Sequence, residues 1–341
     1  MTIVYAIIVF LLLIFVHELG HLISAKLCGI RVNEFALGMG PKLFGFTKGE
    51  TGYSFRAIPF GGYCSMEGED EESDDPRAFV NKPAHMRAIV LFAGSIMNML
   101  LAVLLLSMVI FSMGEATRVL SFVDEESHAY ADGLRQGDEI VAINGVTVAA
   151  WDDISPMLTK FANEEQPDAP LTLTVIRDGA EKSIITSLYK NENSSLKLGI
   201  SPEFARSPAL FFKSFGYGAR ATVMMGKMMY EVLGDLFTGK AGMDQLTGPV
   251  GIVVTVGDTA RYGFVYLVQL TALISLNLGI INLLPFPALD GGRLIFLIIR
   301  KVTGKAITDK IEGRVHLIGI IVLFGFMALV TMQDIGRLFF N

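Results

Sequence analysis

The chain has 341 residues, 52% hydrophobic and 18% charged, with a mean hydropathy of +0.50 and a formal net charge of −6. A composition this apolar excludes an ordinary soluble protein of this size and indicates an integral membrane protein. The mild acidity offers no basic footprint for nucleic acid, and two cysteines, Cys28 and Cys64, are too few for a disulfide framework.

Four stretches are long enough to cross a bilayer: Ile3 to about Ala25, Ala88 to Gly114, Tyr262 to Leu289, and Val315 to about Gln333. The first has no basic flank and no small-residue cleavage site, so it is not read as a removable signal peptide. It holds His17-Glu18-Leu19-Gly20-His21. This is an H-E-x-x-H pattern, and on a helix its two histidines share one face and can bind one Zn²⁺. Glu18 can then serve as general base toward the attacking water. Five letters also arise by chance in soluble helices that bind nothing. Inside an apolar run, however, three polar side chains are costly and indicate function.

Between Gly29 and Met66 the pattern changes. Val32–Leu37 and Tyr53–Ile58 read as short strands, broken by Gly38-Met39-Gly40-Pro41 and by Pro59-Phe60-Gly61-Gly62. Their apolar content predicts a region that dips into the membrane beside the zinc site; a small cytoplasmic hairpin is the other reading. The acidic run from Glu67 to Asp75 reads as a solvated tip. Residues 116–202 read as a soluble α+β domain. It has a short helix and strand over Ala131–Gly145, a helix from Trp151 to about Phe161, and an alternating strand Leu171–Arg177 ending in a hairpin signal. Trp151 is expected in its core. Phe211–Leu236 is helical and Met-rich but too charged for a clean span, which fits an interfacial helix.

The third span ends in Asn282-Leu283-Leu284-Pro285-Phe286-Pro287-Ala288-Leu289-Asp290-Gly291-Gly292. Catalytic zinc takes three protein ligands, and Asp290 is the one acid in this apolar stretch. Asp290 can also be read as the cap of a helix beginning at Gly291. His85, His128 and His316 belong to no paired motif and are expected to be dispensable.

Basic residues set the orientation. They populate the loop from Lys26 to Arg87 and the loop from Arg293 to Arg314, while the N-terminal flank has none. The positive-inside rule places both loops in the cytoplasm, and both termini and residues 116–202 outside. In the reducing cytoplasm Cys28 and Cys64 are expected as free thiols.

With both motifs in hand, the chain resembles the bacterial site-2 intramembrane metalloproteases. Their N-x-x-P-x-P-x-L-D-G pattern stands here as Asn282, Pro285, Pro287, Leu289, Asp290 and Gly291. Gly38–Pro41, Pro59–Tyr63 and Phe92–Asn98 also look like the family's, with Ser95 where the family commonly has proline. Ala131–Gly145 resembles part of a PDZ domain. The resemblance implies a polytopic α-helical membrane protein of about four transmembrane helices, a membrane-associated β region and one extracytoplasmic PDZ domain. Its expected divisions are 1–114, 115–202, 203–261 and 262–341. It implies Zn²⁺ held by His17, His21 and Asp290, with Glu18 catalytic, in a plasma-membrane protein whose active site lies toward the cytoplasm. It further implies that Asn277, Asn282, Gly61 and Gly62 contact the substrate, although the two asparagines can also be interhelical hydrogen-bonding groups. The implied substrates are single-span membrane proteins already cut by a site-1-type protease, such as anti-sigma factors or signal-peptide remnants. An exposed strand edge in the Val32–Ile58 region is expected to receive the unwound substrate. Two other classes remain. A PDZ scaffold that does not cleave would need neither Glu18 nor Asp290, and a zinc transporter would favour polar residues strung along the path and internal repeats.

Overall fold

The computed structural model describes residues 1–69, 73–164, 169–190, 196–240, 242, 247–303 and 309–340. Asp70, Glu71 and Glu72 of the acidic run lie outside them. The chain forms two compact units, one of residues 1–109 and 214–341, the other of residues 110–213.

Among the described residues, four helices of the first unit are long and apolar enough to cross a membrane. These are α1 (Thr2–Leu27), α2 (Ala84–Met113), α7 (Phe264–Asn282) and most of α9 (Asp309–Phe340). α7 stops at Asn282, seven residues before the expected end at Leu289. Pro285 and Pro287 have no N–H to continue the helical ladder, and the chain turns instead, with Leu284 N–H on the Ile281 carbonyl at 2.9 Å. Three further α-helices of this unit lie among the described residues: the long α5 (Leu210–Phe237, which begins in the second unit), α6 (Pro249–Tyr262) and α8 (Asp290–Thr303). α5 lays Met225, Met229 and Leu233 against Ala102, Leu276 and Ile280, so its apolar stripe is spent on α2 and α7. α6 was not anticipated as a separate element. It begins at a Gly-Pro pair, and the buried Asp334 of α9 caps it by accepting from Gly248 N–H at 3.1 Å and Gly251 N–H at 2.8 Å.

Two strands, β1 (Val32–Lys48) and β2 (Thr51–Met66), are much longer than expected, and each bends at its Gly/Pro break. The register shows the result. Phe35 pairs with both Tyr53 and Cys64, and Leu37 with both Phe55 and Gly62, while Phe44 pairs with Phe55 from the other side. The four segments thus run in the order Gly62–Met66, Val32–Met39, Thr51–Ile58, Lys42–Lys48. Gly62–Met66 is therefore an edge, and the inner segments of the Val32–Ile58 region are paired on both sides. The far tip exposes Leu43, Phe44 and Phe46, with Phe44 stacked on Phe55 at 5.2 Å.

The acidic run is more engaged than a solvated tip. Glu67 accepts from Asn33 at 2.9 Å and Ser73 at 2.7 Å, Asp75 meets Arg31 and Arg77, and Glu69 pairs with Arg293 of α8. Basic neighbours convert these acids from a repelling block into tethers.

The second unit is α+β. Its six-stranded sheet contains β3 (Glu115–Val123), β4 (Glu139–Ile143), β5 (Val146–Thr147), β6 (Leu171–Arg177), β7 (Ala180–Thr186) and β10 (Ile200–Ala205). The order is β10-β3-β4-β6-β7, with β5 on β4. A separate pair, β8 (Tyr189–Lys190) and β9 (Leu196–Lys197), and two helices, α3 (His128–Ala131) and α4 (Ile154–Glu164), surround it. Alternation along β6 buries Leu171, Leu173 and Val175 with Leu120, Ile140, Ile143 and Ile154, and Trp151 packs on that core as expected. Asn144 and Gly145 take positive φ angles of 48° and 76° in the Asn-Gly turn.

Candidate metal centre

His17 and His21 lie one helical turn apart on α1 and are buried. Their Nε2 atoms are 3.3 Å apart, and Asp290 Oδ2 stands 3.3 Å from the first and 3.4 Å from the second. A tetrahedral zinc ion with ligand distances of about 2.0–2.1 Å requires ligand atoms about 3.3 Å apart. The three atoms fit that requirement.

Their chemistry fits as well. His21 Nδ1 donates to the Val90 carbonyl at 2.9 Å, which leaves its Nε2 as a lone pair. Asp290 Oδ2 is buried without a hydrogen-bond partner among the described residues. Acceptor atoms facing one another in a buried space repel unless a cation lies between them. Among the described residues His17, His21 and Asp290 are the one group with such spacing.

The scaffold of the site is a close approach of α2 to α1. Residues Val90, Gly94 and Asn98, spaced four apart, form one stripe of α2. Val90 meets His21. Asn98 Nδ2 lies 3.3 Å from His17 Nδ1. Between them Gly94 leaves room for both imidazoles, since a Cβ there would fall 2.7 Å from His17 Cε1 and 2.9 Å from its Nε2.

Asp290 opens α8 at the end of the Pro285–Leu289 turn. In that turn Ala288 adopts φ 89°, a conformation disfavoured for a residue with a Cβ. The turn holds because His316 of α9 accepts from Ala288 N–H through Nδ1 at 3.2 Å. Gly292 completes the fit, because a Cβ there would meet the Phe286 carbonyl carbon at 2.9 Å.

A cavity of about 790 Å³ opens at these atoms. His17, Glu18, His21, Gly61, Gly62, Asn282 and Asp290 all line it. Glu18 follows His17 on α1 and lies against Gly62 of the edge segment of β2. Gly62 permits this contact, for a Cβ would lie 2.8 Å from Ile14 Cγ2 and 3.3 Å from Glu18 Cγ. Gly61 has φ 85°, natural to glycine at the bend that starts the edge. Asn282 Nδ2 is 3.4 Å from His17 Nε2.

Asn277 is not brought to this cavity. It is exposed on α7. Five residues at about 100° each place it about 140° around the helix from Asn282. His316 departs from expectation in the opposite direction: it lines the cavity as well as pinning the turn before Asp290. No motif signalled it, since its partner is a backbone N–H 28 residues away.

Beside the cavity, Glu34 forms the polar heart of the sheet. It accepts from Ser54 at 2.7 Å, Arg56 at 2.8 Å and Tyr63 at 2.7 Å. Burial opposes its charge, but those hydrogen bonds more than offset it and hold the carboxyl down to about 2. Burial, reinforced by Glu34, pushes the Tyr63 phenol up to about 12, and burial with nearby Glu18 raises the Cys64 thiol, so that side chain is inert.

Comparison with known proteins agrees with this centre. Residues 5–326 match the description of peptidase family M50. The chain is 40% identical over 335 residues to a protein of Clostridium acetobutylicum named as a zinc metalloprotease, covering 98% of this chain and 97% of that one. It is 32% identical over 423 residues to the regulator of sigma-W protease RasP of Bacillus subtilis, covering 99% of each. Among solved structures, the PDZ domain of an SdrC-like protein from Listeria monocytogenes aligns with 26% of this chain and 87% of its own, at 16% identity and a TM-score of 0.21. With one family description matched across most of its length and such relatives aligned nearly end to end, the chain belongs to peptidase family M50, the site-2 proteases, and is a zinc metalloprotease.

Proposed function

We propose that this protein hydrolyses peptide bonds within the membrane spans of single-span proteins, with His17, His21 and Asp290 holding the zinc and Glu18 as general base. The observation that carries the reading is the convergence of three buried ligand atoms at zinc spacing on membrane-length helices, with Glu18 and a free strand edge on the same cavity.

When bound, Zn²⁺ supplies Lewis acidity, activating water and polarising the scissile carbonyl. Glu18 takes the proton of the attacking water and passes it to the departing nitrogen. A helical substrate hides its scissile bond in its own hydrogen bonds, so a segment must unwind first. The outward-facing backbone of the Gly62–Met66 edge can add that segment as another strand, with Glu18 beside it at Gly62. Asn282 would hold the substrate backbone next to His17. Asn277 has no such support.

The basic loops favour an active site toward the cytoplasm, with both termini and the α+β unit outside the plasma membrane. The exposed Leu43, Phe44 and Phe46 favour a β region that dips into the bilayer. We read residues 115–202 as a PDZ domain that selects substrates already shortened by a site-1-type protease, with 203–261 as linker between the transmembrane pairs 1–114 and 262–341. Anti-sigma factors suit this reading, given the sigma-W regulator among the relatives.

Metal analysis joined to cleavage of a model single-span substrate tests the assignment. His17→Ala, His21→Ala and Asp290→Ala should each lose zinc and activity. Glu18→Gln should keep zinc and lose about 10²–10⁴-fold in rate. Full zinc occupancy in Asp290→Ala would remove that residue from the ligand set.

A further inference from the structure

We propose that Asn98 is a positioning residue for the metal centre: its amide oxygen accepts the His17 Nδ1 proton and so keeps His17 Nε2 available to zinc. The inference rests on the ligand set proposed above. Its own support is the geometry on the far side of His17.

A neutral imidazole has one N–H and one lone pair. With zinc bound by the ligand set proposed above, His17 Nε2, which faces His21 Nε2 and Asp290 Oδ2, gives its lone pair to the metal, and the imidazole proton lies on Nδ1. A buried N–H without an acceptor is costly. The polar group within hydrogen-bonding reach of His17 Nδ1 is the Asn98 amide, 3.3 Å away. Asn98 is fully buried. Amide nitrogen and oxygen occupy equivalent positions, and their assignment follows from the hydrogen-bond network rather than from shape. Asn98 Oδ1 has no partner among the described residues, so no bond to that oxygen holds the amide with its NH₂ toward His17. Once Nδ1 carries the proton, the amide presents its oxygen instead.

Two neighbours fix where Asn98 stands. Ser275 of α7 donates through Oγ to the Asn98 carbonyl at 2.8 Å. Gly279, one turn further on α7, lets that helix close on α2, since a Cβ there would lie 2.9 Å from the Ser95 carbonyl oxygen and 3.3 Å from Met99 Cγ. The Asn98 backbone is thus held against α7 while its amide faces His17 of α1, the place of an outer partner that orients a metal ligand. His21 obtains the same service from the Val90 carbonyl at 2.9 Å. A carbonyl is a fixed acceptor, whereas an amide side chain becomes one by turning.

The test is zinc affinity of the full-length protein in detergent, measured by competition with a chromophoric chelator. Asn98→Leu keeps the shape and removes the acceptor; it should weaken zinc binding about 10–100-fold. Asn98→Asp keeps the acceptor and should bind zinc as tightly as the parent or more so. The Co²⁺-substituted protein should likewise keep its ligand-field spectrum in Asn98→Asp and alter it in Asn98→Leu. Unchanged affinity in Asn98→Leu would overturn the proposal, and so would equal weakening in both variants, which would mark a packing role. His17→Ala runs in parallel: parental affinity there would refute the ligand set itself, a separate failure.

Discussion

Replacing Gly94 by alanine should disable the metal centre through a single methyl group. The new Cβ would lie 2.7 Å from His17 Cε1 and 2.9 Å from His17 Nε2, and closer still to His21 Nε2, whereas ordinary contact begins at 3.4 Å. Something must therefore move by 0.7 Å or more, the difference between 3.4 and 2.7 Å. Retreat of α2 would give up the close packing of Gly20 of α1 on the Ala93 backbone, where a would-be Cβ lies 2.8 Å from the carbonyl carbon. The imidazoles must yield instead. Overpacking of this kind costs about 1–3 kcal/mol. Carried by the ligand set, that is about 5–150-fold in zinc affinity at about 1.4 kcal/mol per decade. A displacement approaching 1 Å at reacting groups costs on the order of 10²-fold in rate. Gly226→Ala is the control, because its Cβ would meet nothing nearer than Ile280 Cδ1 at 3.7 Å. Zinc content, chelator competition and cleavage of a model substrate should separate the two variants, with Gly226→Ala at parental level. A Gly94→Ala protein that binds zinc and cleaves like the parent would show that α2 does not confine the histidines, and the argument would fail.

The remaining expectations concern the parts around the centre. Glu34 has a folded value of about 2 against 4.5 when free, so its contribution to stability is complete above pH 4.5 and is lost as pH falls toward 2; the gap in Tm between the parent and Glu34→Gln should narrow over that window, and a constant gap would contradict the assignment. Ala288→Gly should relieve strain of about 1 kcal/mol and leave cleavage intact, whereas His316→Leu, which frees Ala288 N–H, should lower zinc affinity; equal affinity in parent and His316→Leu would return His316 to a bystander. In the second unit, Arg177 grips the fully buried Asp138 through Nε at 2.6 Å and Nη2 at 2.7 Å, so Arg177→Ala should destabilise that unit by about 3–5 kcal/mol, read as faster hydrogen exchange in β4 and β6 with the zinc site unaffected.

What the sequence disclosed follows the range of the interaction. The i,i+4 histidines are a local pattern, and the four spans are a property of composition, so both could be read without a fold. The turn residues Asn144-Gly145 and Asp178-Gly179 were likewise legible because their positive φ angles restrict residue type. Three features were not. The double pairing of Phe35 and Leu37 depends on bends that let one long strand serve as two, and periodicity alone cannot count such returns. One edge therefore emerged within Val32–Ile58, at Lys42–Lys48, and the other, at Gly62–Met66, beyond it. Asn277 and Asn282 look alike in the sequence, and the helix phase alone separates them. His316 and Val90 act through a backbone N–H and a backbone carbonyl, which leave no mark on the identity of the residue that supplies them.

The same distances explain why the centre can stand ready before a substrate arrives. Each proposed ligand is held by something other than the metal: His21 by the Val90 carbonyl, Asp290 by a strained turn that α9 pins through His316, His17 by α2 packed against it. Such a site differs from a zinc finger, whose ligands come together only when the ion folds the chain. The difference suits chemistry in a membrane. In the proposed reaction the substrate is unwound and added to an edge strand, so mobility is needed on the substrate side. Rigidity is needed where a proton passes between Glu18 and the scissile nitrogen, because misplacement there costs rate steeply. Glycines serve both demands by different means. At Gly94 the missing side chain lets two helices close on the histidines. At Gly61 and Gly62 it brings the strand edge against Glu18, where the proposed reaction joins the substrate backbone and the base.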